Sequence, residues 1–233
     1  MRTSFRSMVL FLSSFLLYVF LGSPAPADEA AVEVIDVNGS FEKTEVFTKY
    51  EEQYRKWIKD GIELPDPFTK PKGWHPQSHP DPKWRIELVE DEAAAHSGKN
   101  FLHIYAGTVH YYDWPFSTLT LNDGDEVTIC VFVKGPQDVE NPFRVRFFLY
   151  GFNKEGKKVN IYDDGEKGDV IITGVSSPEW KEFTGTYVVA AHDAVDVPSH
   201  VRAICPALVG KDVSFDDVKL TIKRAASASK PSQ

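Results

Sequence analysis

From Trp84 onward the chain falls into short stretches of alternating apolar and polar residues, each closed by a turn-forming cluster, and this rhythm confines it to antiparallel β architecture. The expected strands cover residues 84–89, 100–106, 116–121, 126–134, 143–152, 169–175, 180–189, 200–206 and 212–222. Between them stand Asn122-Asp123-Gly124-Asp125, Gly135-Pro136, Asn153-Lys154-Glu155-Gly156 and Asp163-Asp164-Gly165, residues that tolerate positive φ or preset a bend. An earlier strand, Ala31 to Val37, closes at the Asn38-Gly39-Ser40 turn. Spacing this even reads as a sandwich or barrel in a single domain, because all-β domains commonly reach about 200–250 residues undivided.

One segment breaks the rhythm. Phe47, Tyr50, Tyr54, Trp57 and Ile58 recur at three- and four-residue spacing with Glu51, Glu52, Arg55 and Lys59 between them, which predicts one amphipathic helix within residues 47–60. Gly61 supplies its stop. Pro65, Pro67, Pro71, Pro76, Pro80 and Pro82 follow, so residues 62–82 read as a loop too dense in proline for a helix or a central strand. Helix and loop form an insertion over residues 44–82.

The two ends read differently from the body. Arg2 and Arg6 precede an apolar run from Met8 to Leu21, and Ala25-Pro26-Ala27 offers small residues for cleavage, so residues 1–27 are a predicted signal peptide. The run is shorter than the ~18 residues of a membrane span, and no second one follows. The expected mature chain is secreted, or kept in the periplasm or cell envelope, without a transmembrane segment. Cleavage removes two arginines and no acid, which takes the net charge from −8 to −10. That balance, with no clustered Lys and Arg, argues against a nucleic-acid partner. Residues 223–233, rich in Ala, Ser and Lys, are expected to be a disordered tail. Cys130 and Cys205 both lie in apolar, strand-like stretches. Export permits a disulfide between them, and two buried free thiols fit the same sequence.

Three motifs open, punctuate and close the domain: Asn38-Gly39-Ser40-Phe41-Glu42, His96-Ser97-Gly98-Lys99 and Phe215-Asp216-Asp217-Val218. If first and last strands lie side by side, Glu42 and Asp216 converge with the backbone carbonyls of the middle turn, an all-oxygen surrounding of the kind Ca²⁺ prefers. The competing reading is a pair of turns in which Asp and Glu cap backbone N–H groups.

Taken with Gly73-Trp74, Val133-Lys134-Gly135, Trp180-Lys181-Glu182-Phe183 and Tyr187, these motifs resemble in order and spacing the carbohydrate-binding modules of families 4, 9, 16 and 22. The resemblance spans about residues 32–222 within an expected domain of 28–222. It implies an all-β fold, an antiparallel galactose-binding-like jelly-roll sandwich, here with the short helical insertion after the first strand. It also implies a structural Ca²⁺ held by Gly39, Glu42, His96, Lys99 and Asp216, with His96 and Lys99 acting through backbone oxygen. The insertion is longer than the family's usual connection at that point, and the hydrolase that usually accompanies such modules is not expected among these residues.

Sugar recognition needs flat aromatic faces and a few planar polar groups. Alternation along 143–152 puts Phe143, Val145, Phe147 and Leu149 on one face and Arg144, Arg146, Phe148 and Tyr150 on the other. The second face suits a groove for polar or acidic sugars. In 100–106, Leu102 and Ile104 point to the core and leave Phe101, His103 and Tyr105 opposite; Tyr112 and Trp114 add rings from the next loop. Trp74, Trp84 and Trp180 are expected in the core, and Trp57 is expected to dock the helix. No catalytic motif stands out: there is no Gly-x-Ser-x-Gly elbow, and His75 and His79 lack a nearby third ligand.

The expected function is therefore non-catalytic binding of a polysaccharide through Tyr105, Tyr112, Trp114, Arg144, Arg146, Phe148 and Tyr150. The alternatives are a protein-binding or adhesion sandwich, favoured by a covered sheet face, and a jelly-roll lyase or hydrolase. Two or more carboxylates, or a Tyr and His pair with an arginine, in an open cleft would favour the enzyme.

Overall fold

The computed structural model describes residues 32–77, 85–112, 121–152, 158–161, 169–189 and 203–225. Along the chain run β1 (Val32–Ile35), β2 (Thr44–Phe47), α1 (Glu52–Lys59), β3 (Phe68–Pro71), β4 (Trp74–Gln77) and β5 (Arg85–Glu90). Then come β6 (Asn100–Tyr111), β7 (Glu126–Lys134), β8 (Phe143–Phe152), β9 (Lys158–Ile161), β10 (Asp169–Gly174), β11 (Lys181–Val188) and β12 (Ala203–Lys223). Every described strand pairing is antiparallel, and the strands build the sandwich of a jelly roll.

β6 and β12 pair with each other and serve both layers. The first half of β12 lies between β8 and the second half of β6, with β4 beyond β6 and with β9 and β10 beyond β8. The second half of β12 lies against β7, which carries β11, and on its other side meets β1 and the first half of β6, which carries β5. Where the halves join, Gly107 is paired with Gly210, and Gly107 and Asp212 take positive φ (135° and 52°). There the inward set changes phase, from Leu102 and Ile104 to Val109 and Tyr111 on β6, and from Ile204 and Leu208 to Val213 and Phe215 on β12. Positive φ is what lets both strands keep apolar residues inward on each side of the break.

Rings fill the space between the layers. Phe143 of β8 meets Phe183 of β11 edge-on at 4.8 Å and Phe215 of β12 at 6.0 Å, and Phe147 meets Tyr187 at 6.3 Å. On β8 the inward set is the one alternation predicts: Phe143, Val145, Phe147 and Leu149 are buried.

The insertion differs from its sequence reading in one respect. It holds a helix, shorter than the 47–60 window, but also two strands in what reads as a proline loop. β2 pairs with β3, and β4 pairs with the end of β6, with Pro76 opposite Val109. β4 is the edge of its layer, where a residue without an N–H can be tolerated. Helix α1 stops as expected: Gly61 takes φ 84°, its N–H donates to Ile58 O at 3.0 Å, and Ile62 N–H reaches Trp57 O at 3.0 Å. Trp57 docks the helix, edge-on to Phe47 at 5.0 Å and Phe68 at 5.9 Å. Lys70, wholly buried, pairs with Glu45 and lies 5.1 Å from the Phe47 ring and 5.9 Å from that of Trp57.

Other departures are local. The strands expected at 200–206 and 212–222 are one continuous strand, β9 has no counterpart in the sequence reading, and the strand expected at 116–121 falls almost wholly outside the described residues. Residues 223–225, expected in the tail, are tied to the body: Arg224 pairs with Asp125 at 2.9 Å and Glu33 at 2.8 Å, and Ala225 N–H donates to Asp125 at 2.9 Å; residues 226–233 lie outside the described residues. Cys130 and Cys205 are both free thiols, on strands that do not pair at those residues. Residues 1–27, the expected signal peptide, lie outside the described residues.

Candidate functional site

The three motifs meet. Gly39 lies so close to Val218 that a Cβ would collide with the Val218 carbonyl, and Val218 N–H donates to Gly39 O at 3.0 Å. Glu42 reaches the middle turn, where its Oε1 accepts from the N–H of Lys99 (2.8 Å) and Asn100 (3.0 Å), and its Oε2 from Asn100 Nδ2 (3.1 Å). Asp216, 0% exposed, reaches the same turn: Oδ2 accepts from the N–H of His96 (2.9 Å) and Ser97 (3.2 Å), and Oδ1 from its neighbour Asp217 (2.7 Å). Asp217 completes the clasp, with its oxygens 2.6 Å from His96 Nδ1 and 2.7 Å from Ser97 Oγ.

Convergence of Glu42 and Asp216 on one turn is the geometry the sequence implies, but the turn meets them with N–H groups and not with carbonyls. Lys99 O accepts from Asp91 N–H (2.8 Å), and Gly39 O is taken by Val218. One oxygen on each carboxylate already accepts two N–H groups. Donors aimed at a carboxylate repel a cation approaching from the same side, so the residues Gly39, Glu42, His96, Lys99 and Asp216 do not fit an all-oxygen calcium cage in this arrangement. No cluster of three or more His, Cys, Asp or Glu fit to hold a metal occurs among the described residues. Burial, with the Asp217 charge adding to it, outweighs the three N–H donors and pushes the Asp216 carboxyl up to about 6.

The candidate sugar-binding residues separate. On the outer face of the β8 layer, Phe148 and Tyr150 are only 8% and 9% exposed; with Ala203, Cys205 and Ala207 they form a second apolar cluster. β12 presents small side chains there, and with both rings buried this stretch of the face is not an open aromatic groove. Arg146 is half-buried beside Ala207, and Arg144 is exposed. Tyr105 lies on the far side of the break in β6. Its hydroxyl donates to Glu87 at 2.8 Å, Arg85 stacks 4.5 Å over its ring, and the His103 ring is 4.3 Å away. This Tyr, His and Arg grouping is the one an enzyme reading asks for, yet the hydrogen bond to Glu87 pushes the Tyr105 hydroxyl up, away from use as a base. Trp114 lies outside the described residues.

Tyr112 stands where a ligand would need it. It is 50% exposed and sits at the mouth of a cavity of about 390 Å³ between α1 and the β4–β6 edge. Its ring is 5.9 Å from His75, edge-on, and 5.2 Å from His110; those two are cross-strand partners, stacked at 6.3 Å. Trp57 closes the cavity from the helix side, 5.9 Å from His75. Gln53, Gln77 and the Lys56–Asp60 pair (2.9 Å) line the rest. The sequence reading considers His75 only as a metal ligand with His79 and passes over His110 and Gln77, because β4, the strand that pairs His75 with His110, is hidden in the proline-rich segment.

No family model matches the sequence, and no curated protein matches it. Solved structures similar to this chain include the CBM22-1 xylan-binding domain from Paenibacillus barcinonensis Xyn10C, at 14% identity over 66% of this chain and 88% of that one, with a TM-score of 0.38. The Clostridium thermocellum endo-1,4-beta-D-xylanase 10B CBM22-1 and GH10 modules, complexed with xylohexaose, match at 19% identity over 67% of this chain and 27% of that one, with a TM-score of 0.42. A family 4 module matches at 17% identity over 65% and 95%, with a TM-score of 0.36. At these identities and TM-scores the likeness carries no inference about ligand or mechanism.

Proposed function

We propose that the chain is an exported, non-catalytic polysaccharide-binding module whose binding site is the cavity walled by α1. The carrying observation is the exposed Tyr112 ring, held by His75 and His110 at the mouth of a cavity whose volume of about 390 Å³ falls in the ~300–1,000 Å³ range of ligand sites. An aromatic face there would take the C–H surface of a pyranose, and the planar amides of Gln53 and Gln77 with the Asp60 carboxylate would bond its hydroxyls. Nothing in this reading requires calcium or a bond-breaking step. Affinity electrophoresis against neutral and acidic polysaccharides tests it: at least one should retard the protein, and Tyr112→Ala should abolish the retardation while leaving the melting temperature unchanged. Retardation by none of them sinks the proposal.

A further inference from the structure

The cavity is joined to a second hollow by one row of the sheet. Gln77 of β4, which lines the cavity, is paired with Thr108 of β6; Thr108 is paired with Val209 of β12, and Val209 with Arg144 of β8. Thr108 and Val209 are only half-buried, unlike the packed stretch around Phe148. Three strand spacings of about 4.8 Å put Arg144 about 14 Å from Gln77 across the sheet, the reach of a short oligosaccharide.

Arg144 lines a hollow of about 250 Å³ at the break in the strands, with Gly107, Glu140, Asn141, Val209 and Lys211. Its guanidinium forms no ion pair with any described residue. Of the acids nearby, Asp138 is committed to its own turn, accepting from the N–H of Glu140 (2.9 Å) and Asn141 (3.2 Å) and from Asn141 Nδ2 (2.8 Å). Glu140 lines the hollow beside Arg144 and Lys211, and the Asp138 carboxylate acts on Lys211, which leaves Arg144 as the cation with no ion pair among the described residues. An exposed guanidinium without an ion pair favours an anionic group there, and its fork matches a carboxylate in two parallel N–H···O bonds.

From this placement we infer that the polysaccharide is carboxylated: one sugar stacks on Tyr112 in the cavity, and a uronate further along the same chain meets Arg144. The inference rests on the reading of the cavity as a sugar site.

The test uses homogalacturonan, alginate and glucuronoxylan, each beside its carboxyl-reduced form, in affinity electrophoresis with the full mature chain. At least one acidic polymer should bind on the order of tenfold more tightly than its reduced form. Arg144→Ala should erase that difference without changing the melting temperature, and Arg144→Lys should restore part of it. Equal binding of acidic and reduced forms, or a preference that survives Arg144→Ala, overturns the inference and leaves the cavity reading standing. Loss of both forms in Tyr112→Ala, with only the acidic preference lost in Arg144→Ala, supports the two positions as parts of one site. If neither form of any polymer binds, the proposed function itself fails and the inference falls with it.

Discussion

Asp216→Ala should cost more stability in acid than in base. The Asp216 carboxyl titrates at 3.8 in an unperturbed chain and at about 6 in the fold, so the folded protein holds its proton more tightly than the unfolded one. The sign follows: above the folded value the buried charge opposes folding, and the opposition fades as pH falls through about 6 towards the unfolded value. A difference of about two pKa units corresponds to about 3 kcal/mol against folding at about pH 8, of which about 2 kcal/mol is recovered by about pH 4.5. The alanine variant has no such group, so the destabilisation it shows relative to wild type should be about 2 kcal/mol larger at about pH 4.5 than at about pH 8. Acids away from the clasp are common to both proteins and cancel, whereas Asp217, whose charge adds to the Asp216 shift, contributes to the difference. Urea denaturation followed by tryptophan fluorescence at the two pH values, in excess EDTA, measures the difference. A destabilisation that is equal at both, or larger at about pH 8, would refute the reasoning. The anion would then be the favoured form in the fold, as it would be beside a bound cation.

The clasp makes a direct prediction about calcium: the melting temperature should be the same in EDTA and in millimolar calcium chloride. A cation bound at a hundred times its dissociation constant adds about 2.7 kcal/mol, a rise of about 5–10 °C for a chain of this size, so a shift of that order would show that the turn rearranges to admit one. Trp57→Ala should destabilise the protein by about 3–5 kcal/mol in urea, because the ring is 3% exposed between Phe47, Phe68 and His75. The same variant should lose polysaccharide retardation, and a cost below about 1 kcal/mol would mean that the helix is not held by this ring.

Sequence carries the sandwich because alternation is a local property. Residues 126–134 and 143–152 are strands at the bounds that period-two alternation predicts, with the expected faces buried. It carries the clasp in part. That Glu42 and Asp216 converge follows from motif order, whereas the polarity of the groups that meet them depends on how Gly98, at φ 58°, turns its neighbours' N–H groups inward. Composition cannot reveal that rotation. Nor can alternation say what a side chain packs against. Phe148 and Tyr150 share a face with Arg144 and Arg146 as predicted, but they are buried in a cluster with Ala203, Cys205 and Ala207, more than fifty residues further along, a contact that alternation within one strand does not show.

The same limit explains why the site appears where the sequence is least regular. A β face alone offers a shallow surface; a cavity needs a third element standing beside it, and here the insertion supplies one. Trp57 and Tyr54, three residues apart, turn one side of α1 to the body, which leaves Gln53, Lys56 and Asp60 over the β4 edge. β4 can occupy that edge because an outermost strand tolerates Pro76, and its pairing sets His75 opposite His110. Each step depends on the one before: proline confines β4 to the edge, the edge leaves space for the helix, and the helix turns a sheet margin into a hollow with an aromatic mouth. Binding should therefore depend on the integrity of the insertion more than on the sandwich residues of β8, and loss of retardation in Trp57→Ala with its persistence in a Phe148→Leu variant would distinguish the two.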